Sequence, residues 1–471
     1  MVILSGNYCF RHAVGCERAA ERCGKSSLSF AINQNRSFFF DKTLLKGPEL
    51  LYNVCWKIQA EEVDGVTDFV NTWNSDSFLT YPVGPLGLIA MRGTEELGEK
   101  VNQYLLRWRS HQEESLPGDM CTAPGLERQD FLIKTKCPRF GNGEGKGMIK
   151  ESVRGLDIYI LCDIGAYNCT YNMYGKEVPM SPDDHFMDLK RIIAAIGGKA
   201  KRITVIMPML YEGRQHRRAS RESLDCAMAL QELERMGVSN LITFDAHDPR
   251  VQNAIPTACG FESVMPSYQI FKALLKRDKD LNINREHMMI VSPDEGAIDR
   301  NIFYASVLGL DMGLFYKRRD YTRIVNGRNP IIAHEYLGDT VEGKDILVAD
   351  DIISSGESVI DLARELKKRK ANRIFAAATF ALFTNGLDMY NKAYEEGIID
   401  RVISTNLTYR TPELKAAPWF VEADMSKYIS YIIATLNHDR SLSNLLNPYD
   451  RIHKLLKRYN DEQAQTGVRL V

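Results

Sequence analysis

Short apolar runs separated by stretches of helical spacing constrain this 471-residue chain more than any single motif in it. The runs fall at 156–163, 203–210, 240–244, 288–291, 312–315, 345–349, 373–379 and 401–404, each the length of a strand buried on both faces. Between them lie segments with apolar residues three and four apart, such as SRESLDCAMALQELERMG (220–237), SYQIFKALLKR (267–277), DRNIFYASVLG (299–309) and GLDMYNKAYEEG (386–397). TEELGEKVNQYLL (94–106) has the same helical character. Strand–helix alternation of this kind predicts an α/β protein with mainly parallel sheets flanked by helices. It occurs in two blocks, 81–260 and 261–425, each large enough for one open sheet, so two domains of similar architecture are expected. Residues 426–471 add C-terminal helices and a polar tail, DEQAQTGVRLV, read as frayed. Residues 1–80 lack the alternation and read as a poorly defined N-terminal extension, either mobile or outside the working protein. Two polar, Pro/Gly-containing segments, 109–128 and 171–184, read as surface loops.

Composition narrows the class. A formal net charge of -1 gives no global reason to expect a nucleic-acid partner, so any anion binding has to be local. No apolar run approaches the roughly 20 residues that span a bilayer, and no membrane partner is expected. The ten cysteines include no C-x-x-C pair, which favours reduced thiols in a cytoplasmic protein over zinc or disulfides. Cys9, Cys16 and Cys23 recur every seven residues and would share a helix face, a weak hint of a metal or disulfide device.

The stretch ILVADDIISSGES (346–358) concentrates the chemistry. An apolar strand gives way to two adjacent carboxylates, then to a loop of small hydroxyl residues that opens a helix. Backbone N–H groups of Ser354, Ser355, Gly356, Glu357 and Ser358 can face an anion there, as a phosphate site requires. Asp350 and Asp351 cannot serve a phosphate, but they can accept from sugar hydroxyls or hold a hydrated Mg²⁺. A sugar phosphate lying across the strand end satisfies both. Two solvated Asp residues followed by an ordinary Ser/Gly turn explain the stretch equally well.

Other strand ends carry charge as well. YEGRQHRRASRES places Arg214, Gln215, His216, Arg217, Arg218 and Arg221 after the 203–210 run, read as cations opposing a helix dipole and hence wanting an anion. FDAHD sets His247 between Asp245 and Asp248, a candidate metal ligand or polyphosphate contact; a lone His is more often structural. VSPDEG contributes Asp294, and LFYKRRDYTR contributes Lys317, Arg318, Arg319 and Arg323. Two cationic clusters and an anion loop exceed the charge of one sugar phosphate; a polyphosphate with Mg²⁺ matches it, whereas a nucleic-acid groove would need aromatic platforms that are missing.

Together these segments resemble ribose-phosphate pyrophosphokinase, a family of the phosphoribosyltransferase fold. ILVADDIISSGES looks like the family's phosphoribosyl-pyrophosphate signature, PRFGNGEGKGMIKESVRGLDIYIL is similar to its R-F-x-D-G-E…V-R-G-x-D segment, and MPMLYEGRQHRRASRES to its R-Q-D-R segment. NLITFDAHDPRVQNAI, VSPDEGAIDR and FYKRR follow in the family's order, so the resemblance covers about 82–455. It implies two tandem phosphoribosyltransferase-like domains, the first on the ATP side and the second holding ribose 5-phosphate. It also implies transfer of the pyrophosphoryl group of ATP to ribose 5-phosphate, giving phosphoribosyl pyrophosphate (PRPP) and AMP for nucleotide synthesis. By resemblance Lys317 and Arg319 belong to a mobile catalytic loop, while Arg214, Gln215 and Arg217 contact ATP. Phe140 and Glu144 belong to an adenine-side segment lent by a neighbouring subunit, within a homo-oligomer built as a dimer-based hexamer. Residues Ser354–Ser358 hold the 5-phosphate, Asp350 and Asp351 the ribose hydroxyls and their Mg²⁺, and His247 and Asp294 are metal-side residues.

Departures mark a divergent member. Asn142 and His216 stand where the family has Asp, Ser354 replaces an acid, Glu357 a glycine, and Phe380 a common His. A catalytically weak regulatory homologue is one competing reading, although it has no need of the retained charged set. A PRPP-consuming phosphoribosyltransferase is another, although it needs no second block bearing Arg214–Arg217 and His247.

Overall fold

The computed structural model describes residues 82–115, 128–218, 220–319 and 331–466, with the short strands Ile3–Leu4, Ser29–Ile32 and Phe38–Asp41. Residues 1–81 and 82–471 form separate compact units. In the first, the backbone makes a three-stranded antiparallel sheet with Phe38–Asp41 in the middle. The heptad-spaced Cys9, Cys16 and Cys23 lie outside the described residues.

The larger unit holds two sheets. Strands β1 (Leu86–Ala90), β2 (Asp157–Leu161), β3 (Arg202–Ile206), β4 (Asn240–Phe244) and β5 (Gly260–Val264) are all parallel and lie side by side in chain order. All of β2 is buried, Asp157 at its start included, as the apolar run from Ile158 to Leu161 requires. On one face Ile158, Ile160, Val205 and Leu241 pack with Leu189, Ile192 and Ile193 of helix α2 (Pro182–Ile196) and Leu230 and Leu233 of α3 (Asp225–Arg235). After α4 (Ser267–Arg277) the second sheet begins, with β6 (Met288–Ser292), β7 (Asp311–Arg319), β8 (Ile331–Leu337), β9 (Asp345–Ile353), β10 (Ile374–Ala381), β11 (Arg401–Thr405) and β12 (Phe420–Ala423). Their spatial order is β8-β7-β6-β9-β10-β11-β12, and every neighbour is parallel except the β7–β8 hairpin. The chain leaves β6 toward one edge and returns to β9 on the other side. That reversal opens a crevice beyond the carboxyl ends of β6 and β9, where ligands of open α/β sheets bind.

Some segments differ from their sequence reading. The expected loop at 109–128 is helical as far as Ser115, because helix α1 (Glu95–Ser115) meets no breaker until Pro117; residues 116–127 lie outside the described ones. The expected loop at 171–184 is a hairpin, Thr170–Met173 against Lys176–Pro179, closed by Tyr174 and Gly175 with φ of 50° and 74°. Two consecutive positive φ values make the tight turn whose twist matches antiparallel strands. Ser181 and Asp184 then form a capping box on α2, with Pro182 in its first turn. The frayed tail is also helical, since the helix Tyr449–Thr466 takes in most of it and 467–471 lie outside the described residues. Sequence patterning passed over β1, β5, β8 and β12, which are short or lie at or next to sheet edges, where runs are less uniformly apolar. No helix among the described residues is long and apolar enough to cross a membrane, and the five described cysteines are free thiols.

A buried ion pair within the first half anchors the C-terminal helices. Arg202 grips fully buried Asp157 with two hydrogen bonds of 2.9 and 2.8 Å, and its guanidinium also donates to the Leu436 carbonyl at 2.6 Å. Asn437, at the end of the helix Ser426–Asn437, donates to Asp157 at 2.9 Å and to the Gly84 carbonyl at 3.1 Å. The helix Ser426–Asn437 therefore docks on the amino edge of the first sheet around the Asp157 carboxylate. Replacing Arg202 by Leu strands that carboxylate without its cation, at an expected cost of about 3–5 kcal/mol in urea unfolding at pH 7. A loss below about 1 kcal/mol would show that the pair carries no stability.

Candidate active site

The first half reaches the crevice through the end of β4. Phe244 closes the strand, and Asp245 follows in the left-handed region at φ 46°, unusual for a residue with a side chain. Such a backbone costs about 1–3 kcal/mol and persists only where its surroundings overdetermine it. Here they do. Buried Asp245 accepts from Arg300 of the helix Ile298–Leu308 at 2.7–3.2 Å and from the Thr379 hydroxyl of β10 at 2.6 Å. Burial nevertheless raises its carboxyl above the usual range, outweighing Arg300.

The bend at Asp245 presents His247 to the second half. Its Nδ1 lies 2.7 Å from Asp351 Oδ2, and the Arg300 guanidinium lies 3.6 Å from Asp350 Oδ1. Both aspartates stand inside β9 rather than beyond it, since the strand runs on to Ile353. Asn301, fully buried, fixes that strand by donating to the Ala349 carbonyl at 2.8 Å and accepting the Ala349 N–H at 3.3 Å. Burial, and then the charge of Asp351, hold the Asp350 carboxyl well above the usual carboxylate range. For Asp351 burial works the same way but is outweighed by the hydrogen bond from His247 and the charge of Arg300, so its carboxyl lies below the range.

Asp294 sits at the end of β6, its Oδ1 accepting the N–H groups of Gly296 and Ala297 at 3.0 and 3.3 Å. Asp248 receives Arg250, which holds its carboxyl down at about 2, and lies 3.3 Å from His216 Nε2. The His216 and His247 ring centres are 5.6 Å apart. Among the described residues no three His, Cys, Asp or Glu side chains converge to enclose a metal ion.

Residues 354–356 form the loop between β9 and the helix Glu357–Lys368, so Glu357 and Ser358 open that helix. Gly356 has φ 86°, and any side chain there would run into the buried Tyr390 ring, so only glycine fits. The Ser354 carbonyl accepts the Thr384 N–H at 3.0 Å, and the Glu357 carboxylate is held by Asn385 at 3.0 Å. Glu357 is thereby anchored to the chain after β10.

The remaining residues singled out by sequence are placed more loosely. Arg214 and Arg217 are exposed and Gln215 half-buried in a loop before α3, which starts only at Asp225. The basic cluster is therefore not at a helix N-terminus, and the dipole argument for it lapses. Gln215 holds the loop shut by donating to the Ser223 carbonyl at 2.9 Å. Phe140, 55% exposed, and Glu144 occupy a turn closed by the Phe140 N–H on the Glu144 carbonyl at 2.6 Å and by Asn142 on the Glu144 carboxylate at 2.9 Å. Tyr174 of the hairpin donates its N–H to Gly141 of that turn at 2.8 Å. Lys317 and Arg319 lie in strand β7, paired with His334 and Ile331 of β8, rather than in a loop; their side chains fall outside the described residues. Arg300, Thr379 and Asn301 were missed by sequence reading. Only Arg300 left a signal, as the last letter of VSPDEGAIDR.

Two mainly parallel sheets in tandem, with an anion loop and paired carboxylates at a strand switch, define a protein built from two phosphoribosyltransferase-type halves. Residues 86–237 match the N-terminal domain of ribose phosphate pyrophosphokinase, and residues 263–399 match the phosphoribosyl transferase domain. The chain belongs to the ribose-phosphate pyrophosphokinase family. It is 29% identical over 313 residues to the ribose-phosphate pyrophosphokinase of Vibrio cholerae, covering 66% of this chain and 90% of that one. Identity to the Mycoplasma genitalium enzyme of the same name is 26% over 337 residues, 71% of this chain and 96% of that one. The crystal structure of phosphoribosylpyrophosphate synthetase from Mycobacterium smegmatis shares the fold, with a TM-score of 0.57 at 21% identity over 74% of this chain and 98% of that chain.

The His247–Asp351 pair sets a pH dependence. The hydrogen bond that His247 donates to Asp351 raises the His247 pKa, against burial, so its stabilisation is full below the unfolded value near 6.5 and fades as pH rises through the folded one. The depressed Asp351 contributes above about pH 4, leaving a window of roughly pH 4–6.5 in which both act. His247→Ala is expected to lose more unfolding free energy at pH 6 than at pH 9. Equal losses at both would show that the pair's charge adds nothing.

Proposed function

We propose that the protein is a ribose-phosphate diphosphokinase, transferring the β,γ-pyrophosphoryl group of ATP to the anomeric hydroxyl of ribose 5-phosphate to give PRPP and AMP. One observation carries the reading: His247 of the first half lies 2.7 Å from Asp351 of the second, so a polyphosphate-side group and a sugar-side group share one place. In the reaction the anomeric oxygen bonds to the β-phosphorus as the bond from that phosphorus to the α,β-bridging oxygen breaks. AMP departs and the hydroxyl proton passes to water.

Backbone N–H groups of 354–358 hold the 5-phosphate at the start of a helix, with Gly356 shaping the loop. Asp350 and Asp351 accept from the ribose hydroxyls. Arg214, Gln215 and Arg217 take the ATP side, while Lys317 and Arg319 supply cations where charge redistributes on the transferring group. The donor set fits Mg²⁺, which is usually bound through one or two carboxylates plus substrate phosphates and keeps several waters rather than occupying a closed protein cage. His247 on the ATP side, and Asp294 and the Asp350–Asp351 pair on the ribose side, would each lend one or two contacts to such ions rather than converge on a single one, and when bound Mg²⁺ neutralises and orients the phosphates. The exposed Phe140, with Glu144, would meet the adenine bound by a neighbouring copy in a homo-oligomer, proposed to be a dimer-based hexamer.

With Mg²⁺, ATP and ribose 5-phosphate, the purified chain is expected to release AMP and form PRPP in equal amounts. Absence of both across a range of phosphate and Mg²⁺ concentrations rejects the reading. Lys317→Ala should lower kcat by about 10²-fold or more and leave KM for ribose 5-phosphate within about threefold, because the lost cation acts on charge that develops in the transition state. A defect confined to KM would remove Lys317 from the catalytic set.

A further inference from the structure

Two carboxylates of the first sheet reach into the second half of the chain, and one of them, Asp245, already belongs to the site. The other is Asp163, which follows β2, is buried, and lies against the chain that leaves β11. Its Oδ2 accepts the Tyr409 N–H at 3.1 Å, and its Oδ1 accepts the Thr408 hydroxyl at 3.3 Å and the Gly165 N–H at 2.8 Å. Close packing does not hold this contact. Asp163 lines a cavity of about 360 Å³ between the halves, with Leu97 on one side and Leu407 and Pro412 on the other. The ion pair of Glu96 with Lys415 at its rim, 3.1 Å long, is exposed and adds little. Docking at this point therefore falls to the buried hydrogen bonds of Asp163.

Those bonds continue to the crevice. Thr405, the last residue of β11, accepts the Leu407 N–H on its hydroxyl at 3.3 Å and donates that hydroxyl to the Thr379 carbonyl at 2.6 Å. The Ser404 hydroxyl donates to the same carbonyl at 3.3 Å. Thr379 in turn donates its own hydroxyl to Asp245 at 2.6 Å, and Thr379, Ser404 and Thr405 are all buried. Two carboxylates, from β2 and β4 of the first sheet, thus grip β11 and β10, which are neighbours in the second. A single grip at Asp245 would leave the halves free to pivot about it; the second fixes the angle. Burial pushes the Asp163 carboxyl up to about 6, outweighing its three hydrogen bonds and the charge of Arg410. The folded value lies above the ordinary 3.8, so the ionised form costs the fold stability, fully once pH exceeds about 6. A carboxylate buried solely to dock two surfaces could be replaced by neutral groups without loss.

We propose that Asp163 is a positioning residue for the active site, acting through Thr405 and Thr379 on the bend at Asp245 and so on the meeting of His247 with Asp351. The inference rests on reading that meeting as the active site. Both Asp163 oxygens face backbone donors, so an Asn there would turn its NH₂ toward the N–H of either Gly165 or Tyr409 and keep only one of the two bonds. Thr405→Val removes the relaying hydroxyl with little change of volume, and Thr405→Ser keeps it.

The test compares amide hydrogen exchange of the full chain, without ligand, in wild type and the three variants. Exchange over residues 245–248 is expected to quicken about threefold or more in Asp163→Asn and Thr405→Val, while β1 and β3 keep their rates and Thr405→Ser stays near wild type. With Mg²⁺, ATP and ribose 5-phosphate, Thr405→Val is expected to lose about tenfold or more in kcat with both KM values within about threefold, and Thr405→Ser to restore kcat. Unchanged exchange over 245–248, equal quickening in β1 and β3, unaltered kcat, or a Thr405→Ser variant that behaves like Thr405→Val overturns the proposal, and Asp163 then only docks the halves. Should Asp163→Asn fail to fold, the two Thr405 variants decide alone. An inactive wild type rejects the diphosphokinase reading and leaves exchange to decide the positioning role, so the two fail separately.

Discussion

Arg300 is the charge on which the site depends. It lies between Asp245 of the first sheet and Asp350 of the second, 2.7 Å from one and 3.6 Å from the other, and it is nine-tenths buried. A cation so enclosed is tolerable only because carboxylates surround it, and those carboxylates are tolerable only because of the cation. The arrangement locks the strained backbone at Asp245, and that backbone in turn aims His247 at Asp351. The two halves thus meet through a network whose members cannot be withdrawn one at a time.

This geometry suits a transfer between two phosphorylated substrates. Phosphoryl-type chemistry asks little covalent work of the protein and much positioning, and a site divided between two rigid sheets supplies positioning from both sides. The anion loop follows the strand at the switch point, and the basic loop follows a strand of the other sheet. At the opposite, amino edge of the first sheet, Arg202 and Asp157 bond to Leu436 and Asn437 and hold that end of the chain in place. Asp350, its carboxyl raised, and Asp351, its carboxyl lowered, stand side by side between Arg300 and His247.

Much of the site was legible in the sequence because it lies at strand ends, where a buried apolar run stops and the next few letters have to face the crevice. The FDAHD and VADD segments could be read in that way. Arg300 could not, since its role depends on which turn of a helix meets a strand from the other half. Thr379 and Asn301 were hidden more deeply, because a Thr within a strand and an Asn within a helix carry no signal until their partners are known. The 171–184 segment misled for a different reason. Its Tyr-Gly turn is so short that the hairpin around it looks like the polar loop it replaces.

The sequence by itself determined the α/β alternation, the division into two blocks and the residue types at each strand end, because burial on both faces enforces apolar runs and a strand that ends at a crevice can turn polar. It also determined that Gly356 is glycine, although the Tyr390 ring that demands it was not visible. Tertiary structure alone decided which strand ends meet. His247 and Asp351 are 104 residues apart, and no local propensity records a pairing that depends on how two sheets dock. It likewise decided that the His216 and His247 rings stand 5.6 Å apart, a relation between two loops that exists only once both strands are in place.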